Sequence, residues 1–344
     1  MIWRRVRDIS EFALIRELEA ELPAAVRSAP NLVLGIGDDA AVATVSPGQN
    51  IVVSTDTLNE GIHFRLDWTS WEDLGYKALA VNLSDLAAMG ATPVVATITL
   101  SLTGMELVDD LTQMYRGLGQ CAAAGRITIA GGDITRTTGP LSITVTVIGE
   151  TRGGRYLTRR AAMPDDLIWV TGDIGAAAAG LALQQMAPND PRRMATTAEL
   201  LMGALHRPVP RILAGRMLAA VGVRCAMDLS DGLTADLTKI LDASGVDAEL
   251  HLSDLPIPAA ITSLFRDEAL NLALNGGEDY ELLFTAPGWL TRQIAEGLEL
   301  NGTQATVIGQ ITPRAGLEPR IIGVQLHGSR HAIRPGGFDH FGGR

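Results

Sequence analysis

The stretch Tyr76–Thr99, YKALAVNLSDLAAMGATPVVATIT, decides how the first half of the chain folds. Just upstream, Ser70-Trp71-Glu72-Asp73 resembles a capping box and starts a helix near Trp71. Leu74, Ala78, Val81 and Met89 give that helix a broad apolar face. Gly90 and Pro93 end it, and Pro93–Ile98 then reads as a buried strand. Asn82 and Asp85 stand three positions apart, so their side chains share a face of the helix. A carboxylate among small and apolar residues is costly without a partner. Asp85 is therefore either an internally satisfied helical acid or part of a site.

Residues 8–27 have helical spacing, with Ser10 or Asp8 as the cap. Leu32–Gly35 then enters Gly35-Ile36-Gly37-Asp38-Asp39-Ala40. By letters this is GxGxxA after a strand, with Asp56 about twenty residues on, as in a dinucleotide-binding fingerprint. The paired carboxylates would repel a pyrophosphate, and Pro47 and Gly48 leave no room for the helix that should follow. The reading is an Asp-rich turn or a divalent-cation site.

Ile51–Thr57 is a strand running into the hard oxygens of Ser54, Thr55 and Asp56. His63 follows, as a hydrogen-bonded structural histidine or a working one. After the strand at 94–102 comes a helix from about Glu106 to Ala124 that carries Tyr115. Arg126–Asp133 repeats the earlier pattern of short strand, glycines and carboxylate, and Leu141–Ile148 alternates as a strand. Gly149–Arg160 is rich in glycine and arginine and marks a junction between domains spanning 1–150 and 151–344. Arg159 and Arg160 are either solvated or available to a phosphate.

The second half opens with a strand at 166–172 and an Ala-rich helix from Ile174 to Met186, whose glycine-rich start suits close packing or an anion. Further helices are expected up to about Leu205, at 211–221 and at Leu233–Ala243. Asp228 and Asp231 flank the start of the last, where Ser230 or Asp231 could cap. Gly276–Phe284, GGEDYELLF, is a turn into a strand, and Val307–Ile311 is a short strand. The tail, Gly336–Phe341, is aromatic in a chain with only 4% aromatic residues.

The totals bound the function. A length of 344 residues with 47% hydrophobic content suits about two globular domains. A net charge of −11 disfavours nucleic acid and anionic lipid and suits bound Mg²⁺. Cys121 and Cys225 read as small core residues in a reducing, cytoplasmic setting. No run reaches the ~20 apolar residues of a membrane span, and the start lacks a signal peptide. So many acids cannot share a site without cations. Magnesium joins carboxylates to substrate phosphates, which implies a polyphosphate such as ATP. No GxxxxGK[ST] and no HRDxxxxN occurs, so such a site relies on metals and arginine rather than a P-loop lysine.

GIGDDAAV, STDTLNEGIHF, YKALAVNLSDLAAMGA, GGDITR, MDLSDGL, GGEDYELLF and FDHF together resemble the thiamine-monophosphate kinase family, within the superfamily of aminoimidazole ribonucleotide synthetase. The resemblance runs nearly end to end. It implies an α/β (α+β) fold of two domains, the N-terminal one dimerising through a mixed sheet. It implies ATP and several Mg²⁺ ions, with thiamine monophosphate as the acceptor. By motif, Asp39, Ser54, Thr55, Asp56, Asp85, Asp133, Asp228 and Asp231 would hold magnesium. Tyr115, Gly132, Asp133, Arg159 and Ser230 would contact ATP, and His63, Glu278 and Phe338 the acceptor. Asp38 matches its motif as well. No covalent nucleophile and no general base is expected. Two rivals are another ATP-using relative, such as a purine-pathway cyclising synthetase, and a non-catalytic nucleotide sensor. A selenophosphate synthetase needs a reactive cysteine near the N-terminus, and the first 120 residues have none.

Overall fold

A computed structural model describes residues 4–37 and 39–338. The chain divides after Gly154 into two compact units, with Ala87–Gly90 grouping with the second. The elements of the first are α1 (Glu11–Glu21), α2 (Ala24–Arg27), β1 (Leu32–Leu34), β2 (Val42–Ala43), β3 (Ile51–Asn59), α3 (Trp71–Ala88), β4 (Thr92–Leu102), α4 (Val108–Gly125), β5 (Thr128–Arg136) and β6 (Ser142–Glu150). Those of the second are β7 (Leu167–Thr171), α5 (Ala176–Gln185), α6 (Ala198–His206), α7 (Ile212–Val221), β8 (Cys225–Asp228), α8 (Leu233–Ser244), β9 (Val246–His251), α9 (Ala259–Phe265), α10 (Ala269–Asn275), β10 (Leu282–Ala286), α11 (Thr291–Leu300), β11 (Ala305–Pro313), β12 (Ile321–Val324) and β13 (Arg330–Ile333).

The central helix starts where its cap requires. The Asp73 N–H donates to Ser70 Oγ at 3.0 Å, and the Ser70 hydroxyl donates to the Asp73 carboxylate at 2.7 Å. Gly90 at φ 68° turns the chain out of α3 and into β4. The N-terminal helical stretch is not one helix. Ser10 caps α1 through the Ala13 N–H, and Pro23, which lacks an amide proton, separates α1 from α2. No helix follows the Gly35–Ala40 turn: β1 and β2 pair with each other instead, antiparallel, with Leu32 opposite Ala43.

Sheet one has the order β3-β6-β4-β5, antiparallel except for β4 and β5. That parallel pair is joined by α4, the usual way to return a strand in the same direction. Leu79, Leu83 and Leu86 of α3 and Ile98, Leu100, Val145 and Val147 of the sheet are buried. The short strand expected before the glycines is longer: β5 runs on through Gly131-Gly132-Asp133 to Arg136. Gly132 is there because a Cβ would lie 1.8 Å from the Ile98 carbonyl oxygen. The helices α3 and α4 approach backbone to backbone at Gly75 and Gly117: a Cβ on either would lie 1.8 Å from a carbonyl oxygen of the other helix.

Sheet two has the order β13-β12-β9-β11-β7-β10-β8, with only β12 and β9 parallel. Leu233, Leu237 and Leu241 of α8 pack with Ile168, Val170, Leu250, Leu283 and Ile311 of the strands. A second cluster joins α5, α6 and α9 through Leu183, Leu201 and Ile261. Neither Cys121 nor Cys225 is in a disulfide, and both are buried.

The glycine contact between α3 and α4 makes a stability prediction. Gly117→Val must push two helix backbones apart, so unfolding in denaturant should show a loss of at least about 2 kcal/mol. An unchanged midpoint would show that the helices separate freely.

Candidate functional site

In the first unit two of the sequence motifs, those of Ser54–Asp56 and Asn82–Asp85, meet between β3 and α3. The Ser54 hydroxyl donates to Asp85 Oδ2 at 2.5 Å. The Asp56 N–H donates to Asn82 Oδ1 at 3.0 Å, and Asn82 returns a bond from its amide to the Ala78 carbonyl at 2.9 Å. Ser54 and Asp56 alternate on one face of β3 while Asn82 and Asp85 sit one turn apart on α3. The buried Asn82 thus fixes the strand against the helix and Asp85 lies half-buried beside it.

Thr55 faces the other way. Its hydroxyl donates to the Val145 carbonyl at 3.1 Å and lies 3.0 Å from the Thr146 hydroxyl, while Thr57 and Thr144 meet at 2.8 Å. Register extends that row across the sheet through Thr99 to Asp133. Asp133 therefore belongs to the outer, threonine-lined face with Thr55, and Ser54, Asp56 and Asp85 belong to the helix face. Asp39 is exposed in the β1–β2 connection, and Asp38 lies outside the described residues. His63 accepts the Asn59 N–H at Nδ1, 3.0 Å away, which assigns its ring proton to Nε2. Tyr115 is buried on α4, and burial pushes its phenol above the ordinary range.

The second unit gathers its own set. Asp228, buried, ends β8. The next residues lie alongside the GGED segment: the Glu278 N–H donates to the Ser230 carbonyl at 2.8 Å and the Tyr280 N–H to the Leu229 carbonyl at 2.9 Å. The Phe338 N–H donates to the Asp231 carbonyl at 3.1 Å, so Ser230, Asp231, Glu278 and Phe338 are tied into one cluster. Glu278 and Tyr280 have left-handed backbones, φ 72° and 51°, which non-glycine residues hold only when their surroundings enforce it. Arg159 and Arg160 are exposed just after the junction. Asp339, His340 and Phe341 of the tail lie outside the described residues.

The helix cap at α8 differs from expectation. Neither Ser230 nor Asp231 caps it through its side chain; Asp236 in the first turn accepts the N–H groups of Asp231 at 3.0 Å and Gly232 at 3.2 Å. Lys239 bridges the two acids, 2.5 Å from Asp231 and 2.7 Å from Asp236. Burial pushes the Asp236 carboxyl up while the Lys239 ammonium pulls it down. The sequence offered a hint in the spacing, since Asp236 and Lys239 are three apart on one helix.

Among the described residues no group of three or more His, Cys, Asp or Glu side chains is arranged to hold a metal ion. The donors of the two clusters are nevertheless all hard oxygens. Magnesium typically takes one or two carboxylates and completes its shell with water and phosphate, so the donor chemistry fits it.

Two further acids of the GGED segment were not singled out by the sequence. Asp279 accepts from the Gly175 N–H at 2.7 Å and the Ala177 N–H at 3.2 Å. Glu281 accepts from Thr171 at 2.6 Å and from Arg211 at 2.6 and 2.5 Å. Burial pushes the Asp279 carboxyl up to about 7 against the pull of those N–H groups, with the Glu281 charge adding to the rise.

Two predictions follow from these partners. Lys239→Met strands the buried Asp236; since the ammonium is partly solvated, the loss should be about 2 kcal/mol rather than the larger value of a fully buried pair. Adding Asp236→Asn should recover much of it in a double-mutant cycle, and strict additivity would exclude the coupling. For Asp279, a folded pKa above the unfolded one means that the folded protein binds the proton more tightly. Its contribution to stability should fall as pH rises from 3.8 to about 7 and then level off. Thermal midpoints of Asp279→Asn should lack that component of the slope.

The AIR synthase related protein models match this chain, the N-terminal domain over residues 37–151 and the C-terminal domain over 163–322. The chain is 44% identical over 286 residues to thiamine-monophosphate kinase of Escherichia coli O157:H7, covering 81% of this chain and 84% of that one. It is similar in structure to thiamine-monophosphate kinase from Stenotrophomonas maltophilia K279a, with a TM-score of 0.80 and 40% identity over 91% of this chain and 96% of the other. It is also similar to AaThiL complexed with AMPPCP and TMP, with a TM-score of 0.74 and 29% identity over 99% and 100% of the two chains.

Proposed function

The chain belongs to the AIR synthase related family and, within it, to the thiamine-monophosphate kinases, and from that membership we propose that it passes the γ-phosphoryl group of ATP directly to thiamine monophosphate, giving ADP and thiamine diphosphate. The observation that carries the reading is the near full-length likeness to AaThiL complexed with AMPPCP and TMP, read here as an ATP analogue and the acceptor.

The chemistry suits the residues. A phosphate monoester with a second pKa of about 6 arrives largely ionised, so the acceptor oxygen needs no strong base. The task is to hold two anions in line. Bound Mg²⁺ would neutralise and orient them. Ser54, Asp56 and Asp85 on the helix face, Thr55 and Asp133 on the outer face, Asp39, and Asp228 and Asp231 in the second unit are the proposed ligands. The Ser54–Asp85 bond supports this, because it holds one carboxylate half-buried and oriented before any cation binds. Gly132, Asp133, Arg159 and Ser230 are proposed to contact ATP, with Tyr115 a weaker candidate since its side chain is buried. His63, Glu278 and Phe338 are proposed to meet the acceptor; the cluster of Ser230, Asp231, Glu278 and Phe338 supports their working together.

The outer face of sheet one supports a homodimer. Ile51 and Val53 are 58% and 61% exposed on the face that carries the threonine rows. An apolar patch on an open sheet face is a surface that a second copy covers well. Among the described residues no helix is long and apolar enough to cross a membrane, and the two buried cysteines, neither in a disulfide, suit a reducing cytoplasm.

The test is an assay of thiamine diphosphate formation. With ATP, Mg²⁺ and thiamine monophosphate, product and ADP should appear in equal amounts, and chelation of the metal should stop the reaction. Asp85→Asn should lower kcat at least about 100-fold. Turnover of formylglycinamidine ribonucleotide in place of thiamine monophosphate would overturn the reading.

A further inference from the structure

The start of α5 is a helix N-terminus with no capping side chain of its own: Gly175 occupies the cap at φ 83°. Its amides are not left to solvent or to a ligand. Gly175 and Ala177 both donate to Asp279, an acid more than a hundred positions away in the chain. One residue on, Tyr280 is buried, and then Glu281 is gripped by Thr171 and the Arg211 guanidinium. Asp279 is thus held by the start of α5, and Glu281 by the end of β7 and by Arg211 just before α7. The backbone between them is held from the other side, where residues 278, 280 and 281 exchange hydrogen bonds with 229 and 230. The two left-handed residues, Glu278 and Tyr280, flank Asp279 directly.

We propose that Asp279 is a positioning residue: by plugging the N-terminus of α5 it holds the GGED segment in its left-handed conformation and thereby aims Glu278 at the acceptor. This rests on the reading of Glu278 as a contact to thiamine monophosphate. The physical argument is the alternation along the segment. Glu278 follows two glycines and precedes a locked acid, so its orientation is inherited from the Asp279 anchor and the Ser230 contact. Gly175 cannot be exchanged to compensate, because a Cβ there would lie 2.8 Å from the Ala273 Cα and φ is positive. Without the carboxylate, two amides lose their acceptor and the strained backbone is free to relax.

Full-length Asp279→Ala, Asp279→Asn and Glu278→Gln variants test this by initial-rate kinetics and amide hydrogen exchange. In Asp279→Ala the KM for thiamine monophosphate should rise about tenfold or more while the KM for ATP stays within about threefold. Exchange should quicken together at residues 276–281 and 175–177. Asp279→Asn keeps one carbonyl oxygen for the Gly175 amide and should recover part of both effects, and it stands in if the alanine variant does not fold. The proposal fails if exchange at the segment is unchanged, or if both KM values rise alike as the thermal midpoint falls. Glu278→Gln separates the two readings. If it leaves the acceptor KM unchanged, the assignment of Glu278 is wrong, and with it the claim that Asp279 aims a substrate contact; the exchange data then still decide whether the anchor exists.

Discussion

A carboxylate withdrawn from water must be met by a donor or a cation, and that constraint shapes both halves of this chain. Asp85 takes the Ser54 hydroxyl, Asp236 takes two amides and a lysine, Asp279 takes the start of a helix, and Glu281 takes a guanidinium. In each case the partner comes from a different element or turn, so satisfying the acid also fixes one segment against another. The acids are therefore structural joints as well as chemical groups. An enzyme that must gather anions does well to keep its own negative charges rigid, because a wandering carboxylate would repel the substrate it is meant to help place.

Local signals in the sequence resolve into the expected elements where they are strong. The Ser70–Asp73 box, the Gly90 turn and the apolar run after Pro93 define α3 and β4, and the shared face of Asn82 and Asp85 survives as two contacts to β3. The rejection of a dinucleotide fingerprint at Gly35–Ala40 also stands, since the strands on either side of it, β1 and β2, pair with each other and β3, not a helix, comes next. The illegible parts depended on partners distant in sequence. β5 continues through its glycines because β4 passes too close for a side chain there. β9, β12 and β13 are short and irregular in pattern, and their pairing with β11 and one another is what makes them strands. Strand alternation separates Thr55 from Ser54 and Asp56, whereas a motif read by letters puts all three together.

The GGED segment shows the same gap at the level of single residues. The resemblance marks its first acid, Glu278, and no motif marks Asp279 or Glu281. Nothing in the local sequence distinguishes them: each is an acid near a strand start. The difference lies in what stands opposite. Asp279 and Glu281 face the β7–α5 connection and Arg211, while the Glu278 backbone leans on Ser230. Of the three, Glu281 is buried, while Asp279 is half-buried against the helix start.

This division bears on where a phosphate can go. A glycine-opened helix N-terminus is a ready anion site, and a chain that handles polyphosphates has reason to control every such site. At α5 the site is filled by Asp279, whose two contacts use the amides that a phosphate oxygen would need. A phosphate approaching α5 would meet a half-buried carboxyl in place of open N–H groups, and repulsion once that carboxyl ionises. The acidic and hydroxyl-bearing cluster around β3 and α3 offers an anion nothing by itself and becomes attractive only through a cation. The fold thus closes this one cation-independent anion site at α5 with an acid of its own.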